Sequence, residues 1–265
     1  MMAMDTIILG QRPLALAFIF LVFLLAGTVK GVVGLGLPTV AVGLLGTLMA
    51  PREAAALLVL PSLVTNVWQL AAGPAIGPLW RRLWPMLAGI AAGTLAGGLL
   101  VPAAADAAAS ASAIADANAA LGGALVLYAA SGLASYTLPV APRFEAVAGP
   151  LVGAATGAIT AFTGVFVIPA VPYLGGLRLE RDALVQALGL AFTASTCALA
   201  ASLLLTGEWR PGAAGVSFAA LVPALLGMWL GQRVRGRIRP ALFRRCFFVG
   251  LLALGAHLML RPFLH

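Results

Sequence analysis

Ten apolar stretches follow one another along the chain, separated by charged residues, prolines and glycines. They predict helical segments over 14–28, 31–48, 54–72, 83–101 and 119–136, then over 147–163, 164–177, 183–206, 212–230 and 242–260. A helix that crosses a bilayer needs ~20 apolar residues, so most of these stretches are long enough and a few are short. The stretch 137–145, with Pro139, Pro142, Arg143 and Glu145, reads as the connector between two sets of five. The stretch 103–118 is rich in Ala and Ser, carries Asp106 and Asp116 and no basic residue, and reads as a surface loop or short interfacial helix.

The break in the pattern carries the most information. Residues 27–37 read GTVKGVVGLGL and run into Pro38, so a lysine and four glycines interrupt an otherwise spanning stretch. In hydrocarbon every backbone NH and CO must be paired within the protein, and irregular backbone survives only where it is buried or lines a polar cavity. Half-helix ends in such places are substrate sites in many transporters.

Composition turns the pattern into a class: 62% of residues are hydrophobic, 9% are charged and the mean hydropathy is +1.06, which defines an integral membrane protein. No stretch is both long and polar enough for a soluble module, so residues 1–265 form a single transmembrane domain. A cleavable leader ending at Ala26 would put Leu24 where a small residue is needed, so the first segment is expected to be retained. The net charge of +8 comes mostly from loop arginines, which report orientation, and no nucleic acid partner is read from it. Cys197 and Cys246 sit in apolar stretches and read as packing residues. With no Walker-type loop and no metal-ligand spacing, no cofactor and no metal are expected.

The two sets of segments repeat one another in order. Gly27 and Gly31 correspond to Gly153 and Gly157, Pro38 to Pro169, and Arg52-Glu53-Ala54 to Arg181-Asp182-Ala183. Aligning Glu53 with Asp182 places Asn66 opposite Ser195. Each half closes on a glycine and a Trp-Arg pair, Gly73 with Trp80-Arg81 and Gly207 with Trp209-Arg210. Residues 14–136 and 147–260 therefore read as two repeats. If all ten segments change sides, one face collects Lys30, Arg81, Arg82, Arg143, Arg178, Arg181 and the six arginines of 233–245, against Arg12, Arg52, Arg210 and Arg261. If the two Gly/Pro segments re-enter without crossing, the split is more even. The positive-inside rule favours the first arrangement, with both termini on the periplasmic face and inverted repeats; eight full spans plus two broken elements is the other description. The fold class is in either case an all-α polytopic membrane protein.

The blocks AGTVKGVVGLGLP and APREAAALLVLPSLVTNVWQ, followed by a second Gly-rich block ending in VIPAVPYL and by RDALVQALGL, resemble the TauE/SafE family of sulfite exporters. The resemblance runs in order over nearly the whole chain. It implies a multi-pass permease of the bacterial inner membrane that moves sulfite, sulfoacetate or a related small sulfur-containing anion. In the second half Ser195 and Ala198 stand where Asn66 and Gln69 have their counterparts, a departure from two symmetric sites.

The residues support an anion independently. All eight acidic residues fall at segment ends or in loops, so no mid-membrane carboxylate is left to cage a cation or relay protons. Near the breaks stand Lys30, the glycine-exposed backbone at Gly31, Gly34, Gly36 and Pro38, and the amide and hydroxyl side chains Thr65, Asn66 and Gln69. Thr163, Gly164, Pro169, Tyr173 and Gln186 are the second-half candidates. Each has a plainer reading: Lys30 as a snorkelling anchor, Asn66 and Gln69 as interhelical hydrogen bonders, the glycines as close-packing residues. His257 reads as packed or interfacial, and Trp68, Trp80, Trp84 and Trp209 as interface aromatics. The expected function is secondary transport of a small anion, with no catalytic residues. An integral membrane enzyme has no His or carboxylate cluster to support it, and a non-transporting membrane protein leaves the paired Gly/Pro breaks unexplained. The expected partners are the anion and the lipid bilayer, and a homo-oligomer is left open.

Overall fold

The computed structural model describes residues 12–71, 73, 76–100, 111–209, 211–237 and 239–261. Among them are ten α-helices and no strand: α1 (Arg12–Val33), α2 (Leu37–Leu45), α3 (Pro51–Ala71), α4 (Ile76–Leu100), α5 (Ala111–Leu133), α6 (Glu145–Thr163), α7 (Ala170–Gly176), α8 (Arg181–Leu205), α9 (Pro211–Val234) and α10 (Pro240–Leu260). Eight are long and apolar enough to cross a membrane. The exceptions are α2 and α7, of 9 and 7 residues. At 1.5 Å per residue they reach only about 14 and 10 Å, against ~30 Å of hydrocarbon. Of the two descriptions the sequence allows, the structure has eight full spans plus two broken elements, the half-helices α2 and α7.

The alternation of direction nevertheless holds for all ten elements. Gln186 at the start of α8 donates to the carbonyl of Gly73 after α3, Arg82 near the start of α4 pairs with Glu145 at the start of α6, and Arg244 near the start of α10 donates to Ser135 after α5. These contacts gather the ends of α3 and α5 and the starts of α4, α6, α8 and α10 on one face. That face also carries the arginines of 233–245. On the opposite face Arg52 at the start of α3 pairs with Glu208 after α8, and Arg261 after α10 donates to the carbonyl of Thr47 after α2. The half-helices obey the same order. Gly36 lies beside Phe247 and Gly43 beside Leu254, so α2 runs alongside α10 toward the Arg261 face. Gly164 lies beside Ala55 near the start of α3, whereas Leu177 accepts a hydrogen bond from Arg82, so the 164–177 segment returns to the basic face.

Close packing of backbones ties the spans together. On α1, a Cβ at Gly27 would run into the carbonyl of Ala224 and one at Gly31 into that of Met228, both on α9. In return Gly227 and Gly231 of α9 press on the carbonyls of Leu24 and Thr28. The pair α4 and α6 does the same: Gly153 meets Met86, Gly157 meets Ile90, Gly89 meets Pro150 and Gly93 meets Ala154. In every case the carbonyl lies three residues before a glycine of the partner helix. Small residues let membrane helices approach this closely where larger side chains would hold them apart. The series long, short, long, long, long is also repeated from α1–α5 to α6–α10, a pattern compatible with inverted repeats.

Several boundaries differ from the sequence expectation. The first helix does not end at Thr28; it continues through Lys30 and Gly31 to Val33, because Gly27 and Gly31 serve the contact with α9 and leave the helix intact. The break is confined to Gly34–Gly36. The fourth span starts at Ile76, so Trp80, Arg81 and Arg82 are helical. Of the expected loop 103–118, residues 103–110 lie outside the described residues, and 111–118 form the first turns of α5, in keeping with the helix propensity of alanine. Cys197 and Cys246 are exposed on the outer surface of the bundle and are not packing residues. Leu21, Leu99, Leu127 and Leu205 are likewise exposed, which gives the bundle an apolar exterior suited to lipid.

Candidate functional site

Lys30 stands in the last turn of α1, just before the break, and is buried to 4% exposure. Its Nζ donates to Thr65 Oγ1 at 3.1 Å and to Asn66 Oδ1, both on α3. With the amide oxygen turned to Lys30, Asn66 Nδ2 donates across the bundle to Thr196 Oγ1 on α8 at 3.2 Å and, at 3.5 Å, to Ser62 Oγ. The two threonine hydroxyls are oriented in turn: Thr65 donates to the carbonyl of Pro61 at 2.7 Å and Thr196 to that of Phe192 at 2.7 Å. Among the described residues both ion pairs, Arg52 with Glu208 and Arg82 with Glu145, lie elsewhere. Lys30 is therefore a buried cation held by neutral acceptors only. A buried charge without an opposite charge is costly, and an entering anion relieves that cost.

Two proline effects shape this wall of the site. Pro61 lies inside α3 and supplies no NH to the ladder. The carbonyl of Leu57 thereby loses the donor that residue 61 would have supplied, and beside the proline Leu60 NH donates to Ser217 Oγ of α9 at 3.2 Å, a bond that ties α9 to α3 at this level. Pro38 occupies the first turn of α2, where its missing NH costs nothing. The turn into α2 needs left-handed backbone at Gly34 (φ 81°) and Gly36 (φ 105°), conformations that glycine adopts without a Cβ clash. Both glycines and Pro38 thus build the break beside Lys30, while Gly31 faces the backbone of α9.

Gln69 and Gln186 close the same α3–α8 seam nearer the basic face. Gln69 Nε2 donates to the carbonyl of Val185 at 2.9 Å, and Gln186 Nε2 to those of Leu70 at 2.8 Å and Gly73 at 2.6 Å. Gly189 fits against the backbone of Leu70 between them. On the other face the seam is closed by Arg52, which reaches Glu208 at 2.6 Å, the carbonyl of Ala161 at 3.0 Å and Thr206 at 3.4 Å.

The second break forms a separate group. Thr163 Oγ1 donates to the carbonyl of Ile159 and accepts from Val165 NH, Gly164 turns left-handed at φ 71°, and Pro169 precedes α7. Tyr173 on α7 is buried with its hydroxyl against Gly149 of α6. No described hydrogen bond joins these four residues to Lys30. Of the candidates, the structure brings Lys30, Thr65 and Asn66 into one network, with Gln69 and Gln186 one step along the seam.

Thr196 and Ser62 complete the network and were not singled out by the sequence. Ser62 lies four residues before Asn66, on the same helical face, and this spacing was the available signal. Thr196 is the immediate neighbour of Ser195, the residue aligned with Asn66, so only the rotation of α8 decides which of the two faces α3. His257 is exposed on α10, and no group of three or more His, Cys, Asp or Glu with metal-holding geometry occurs among the described residues.

Eight spans, two half-helices preceded by left-handed glycines, and a buried lysine beside the first break define a multi-pass membrane protein with a polar site inside the bundle. The sequence model described as Sulfite exporter TauE/SafE matches residues 19–258, and the chain belongs to that family of sulfur-anion transporters. No curated protein and no solved structure matches the chain.

Proposed function

We propose that this protein is a secondary transporter that exports sulfite or a small organosulfonate such as sulfoacetate across the bacterial inner membrane. The observation that carries the reading is Lys30, buried at the break between α1 and α2 with only neutral partners. A sulfite or sulfonate group presents three oxygens, which suit the ammonium group together with neighbouring hydroxyl and amide donors. Lys30, Thr65, Asn66 and Thr196 form the binding site, the break at Gly34, Gly36 and Pro38 frames it, and Gln69 and Gln186 guard its basic-face side. Thr163, Gly164, Pro169 and Tyr173 shape the matching break of the second half.

Residues 14–136 and 147–260 act as inverted repeats that rock against each other. Support comes from the eight glycine contacts, which follow one rule in α1–α9 and in α4–α6. The face rich in arginine lies in the cytoplasm, as the positive-inside rule requires. In proteoliposomes the purified protein moves sulfite, and Lys30→Met reduces the flux at least about ten-fold while leaving insertion intact, as expected for a lost charge-assisted contact. Equal flux in Lys30→Met and the parent would show that the lysine is an anchor and that the site lies elsewhere.

A further inference from the structure

Three buried hydroxyls, one on α4 and two on α8, have no hydrogen-bond partner among the described residues: Thr94 Oγ1, Ser195 Oγ and Ser202 Oγ. All three residues are 2% exposed or less. Hydroxyls on the neighbouring helical surface behave differently: Thr65, Thr156, Thr160 and Thr196 each donate to the carbonyl four residues earlier. Ser202 Oγ occupies the place where Gly98 would carry its Cβ, which fixes the seam. Thr94 lies one turn before Gly98 on α4, and Ser195 two turns before Ser202 on α8, so both point along the same line. The two helices run in the same direction from the basic face. Starting at the level of Thr196 and moving away from that face, the order is Ser195, Thr94, Ser202.

We propose that these three hydroxyls form a second oxyanion-binding station, a line of donors about 10 Å long that the anion engages in turn, on the side of the Lys30 site away from the basic face. Its ligand is the pyramidal or tetrahedral sulfur-oxygen group of the transported anion. The proposal rests on the transporter reading. Three neutral donors in a row can take an oxyanion from the lysine and hold it more weakly than a full charge would. A path works in this way when each site binds well enough to accept the ion and loosely enough to pass it on. The position aligned with Asn66 is Ser195, so the outer half keeps donors at the matching place without a second lysine. Gly98 lets Ser202 close against α4 when the station is empty, and α4 must part from α8 for the anion to enter.

The test compares Thr94→Val, which keeps the shape and removes the hydroxyl, with Thr94→Ser, which keeps the hydroxyl and loses a methyl, alongside Ser195→Ala/Ser202→Ala. Sulfite flux is measured in proteoliposomes, and sulfite binding by the ligand-dependent rise in melting temperature of the purified protein. The expected result is a flux reduced about ten-fold in Thr94→Val and in the double variant, near-parental flux in Thr94→Ser, and binding within about two-fold of the parent in all three. Parental flux in Thr94→Val with slower flux in Thr94→Ser would assign the hydroxyls to packing and overturn the station alone. A parent protein that neither moves nor binds sulfite would overturn the transporter reading and the station with it.

Discussion

Gln69 and Gln186 reach across the α3–α8 seam in opposite directions, each donating its side-chain amide to the other helix's backbone, at 2.9 Å to Val185 and at 2.8 Å to Leu70. Reciprocal bonds of this kind hold two helix ends together without any charge, and both break at once if the ends part. The ion pair of Arg52 and Glu208 closes the other end of the same two helices. Asn66 and Thr196 lie between the two closures, so the proposed alternating access predicts that each opens in turn.

Gln186→Leu removes two donated bonds and leaves the carbonyls of Leu70 and Gly73 without that donor. Apparent stability should fall by about 1–3 kcal/mol, the cost of unsatisfied buried groups. A cysteine placed at Ala187, in a background lacking Cys197 and Cys246, should at the same time become more accessible to thiol reagents from the basic face. Unchanged labelling would separate the glutamines from gating.

Lys30→Met should have opposite effects on function and stability. A buried ammonium held by neutral acceptors is less favourable than a buried thioether of similar length. The variant should melt at or above the parent's temperature in the absence of substrate and should lose the rise in melting temperature that sulfite gives the parent. Lys30→Arg should restore only part of that rise, since a planar guanidinium does not fit a point-charge site. A strongly destabilised Lys30→Met would mean that the Thr65 and Asn66 contacts outweigh the desolvation of the charge.

The glycines divide into two kinds, and substitution by alanine should sort them. At Gly27, Gly31, Gly153 and Gly157 a Cβ meets a backbone carbonyl of the partner helix, so each Gly→Ala change should lower the yield of folded protein. At Gly123 and Gly250, inside α5 and α10, a Cβ meets nothing within 4 Å, and alanine should stabilise by about 0.5–1 kcal/mol through helix propensity. Equal effects in the two groups would contradict the close approach of α1 to α9 and of α4 to α6.

This division explains what the sequence could and could not reveal. The ten apolar stretches were legible because the bilayer demands them, and the second break at Gly164 and Pro169 fell where the pattern placed it. The first break was placed too early because a glycine that opens a helix and one that admits a neighbour look alike in sequence. Gly227 and Gly231 on α9 decide the matter for Gly27 and Gly31, and their pairing is not a local signal. Lys30, Thr65 and Asn66 could be shortlisted as polar residues near a break. Thr196 could not, because α8 offers hydroxyls at adjacent positions and only tertiary packing fixes the rotation that turns one to Asn66 and leaves Ser195 to the α4 side.

Orientation can be read with two single cysteines in the same cysteine-free background. Leu48, exposed in the turn after α2, and Gly236, between α9 and α10, lie on opposite faces. An impermeant thiol reagent added outside intact cells should modify Leu48→Cys and spare Gly236→Cys, because the positive-inside rule predicts a cytoplasmic loop at the arginines of 233–245. The reverse pattern would invert the molecule and turn the export reading into uptake.

The charge inventory bears on coupling. The described acidic residues lie at helix ends or between helices, so mid-membrane there is no carboxylate to carry a proton in exchange for the anion. In the proposed cycle Lys30 stays in α1, and the substrate's own charge is what crosses the membrane. With the cell interior negative, export of one negative charge is favoured by ~2.3 kcal/mol per 100 mV, enough to drive a gradient without a second ion. The expected behaviour is electrogenic uniport. In proteoliposomes with a valinomycin-set potassium potential and no pH gradient, sulfite or sulfoacetate should flow toward the positive side, and the rate should fall as the potential is removed. Flux that ignores the potential and follows an imposed pH gradient would overturn the uniport and point to proton movement with the substrate itself.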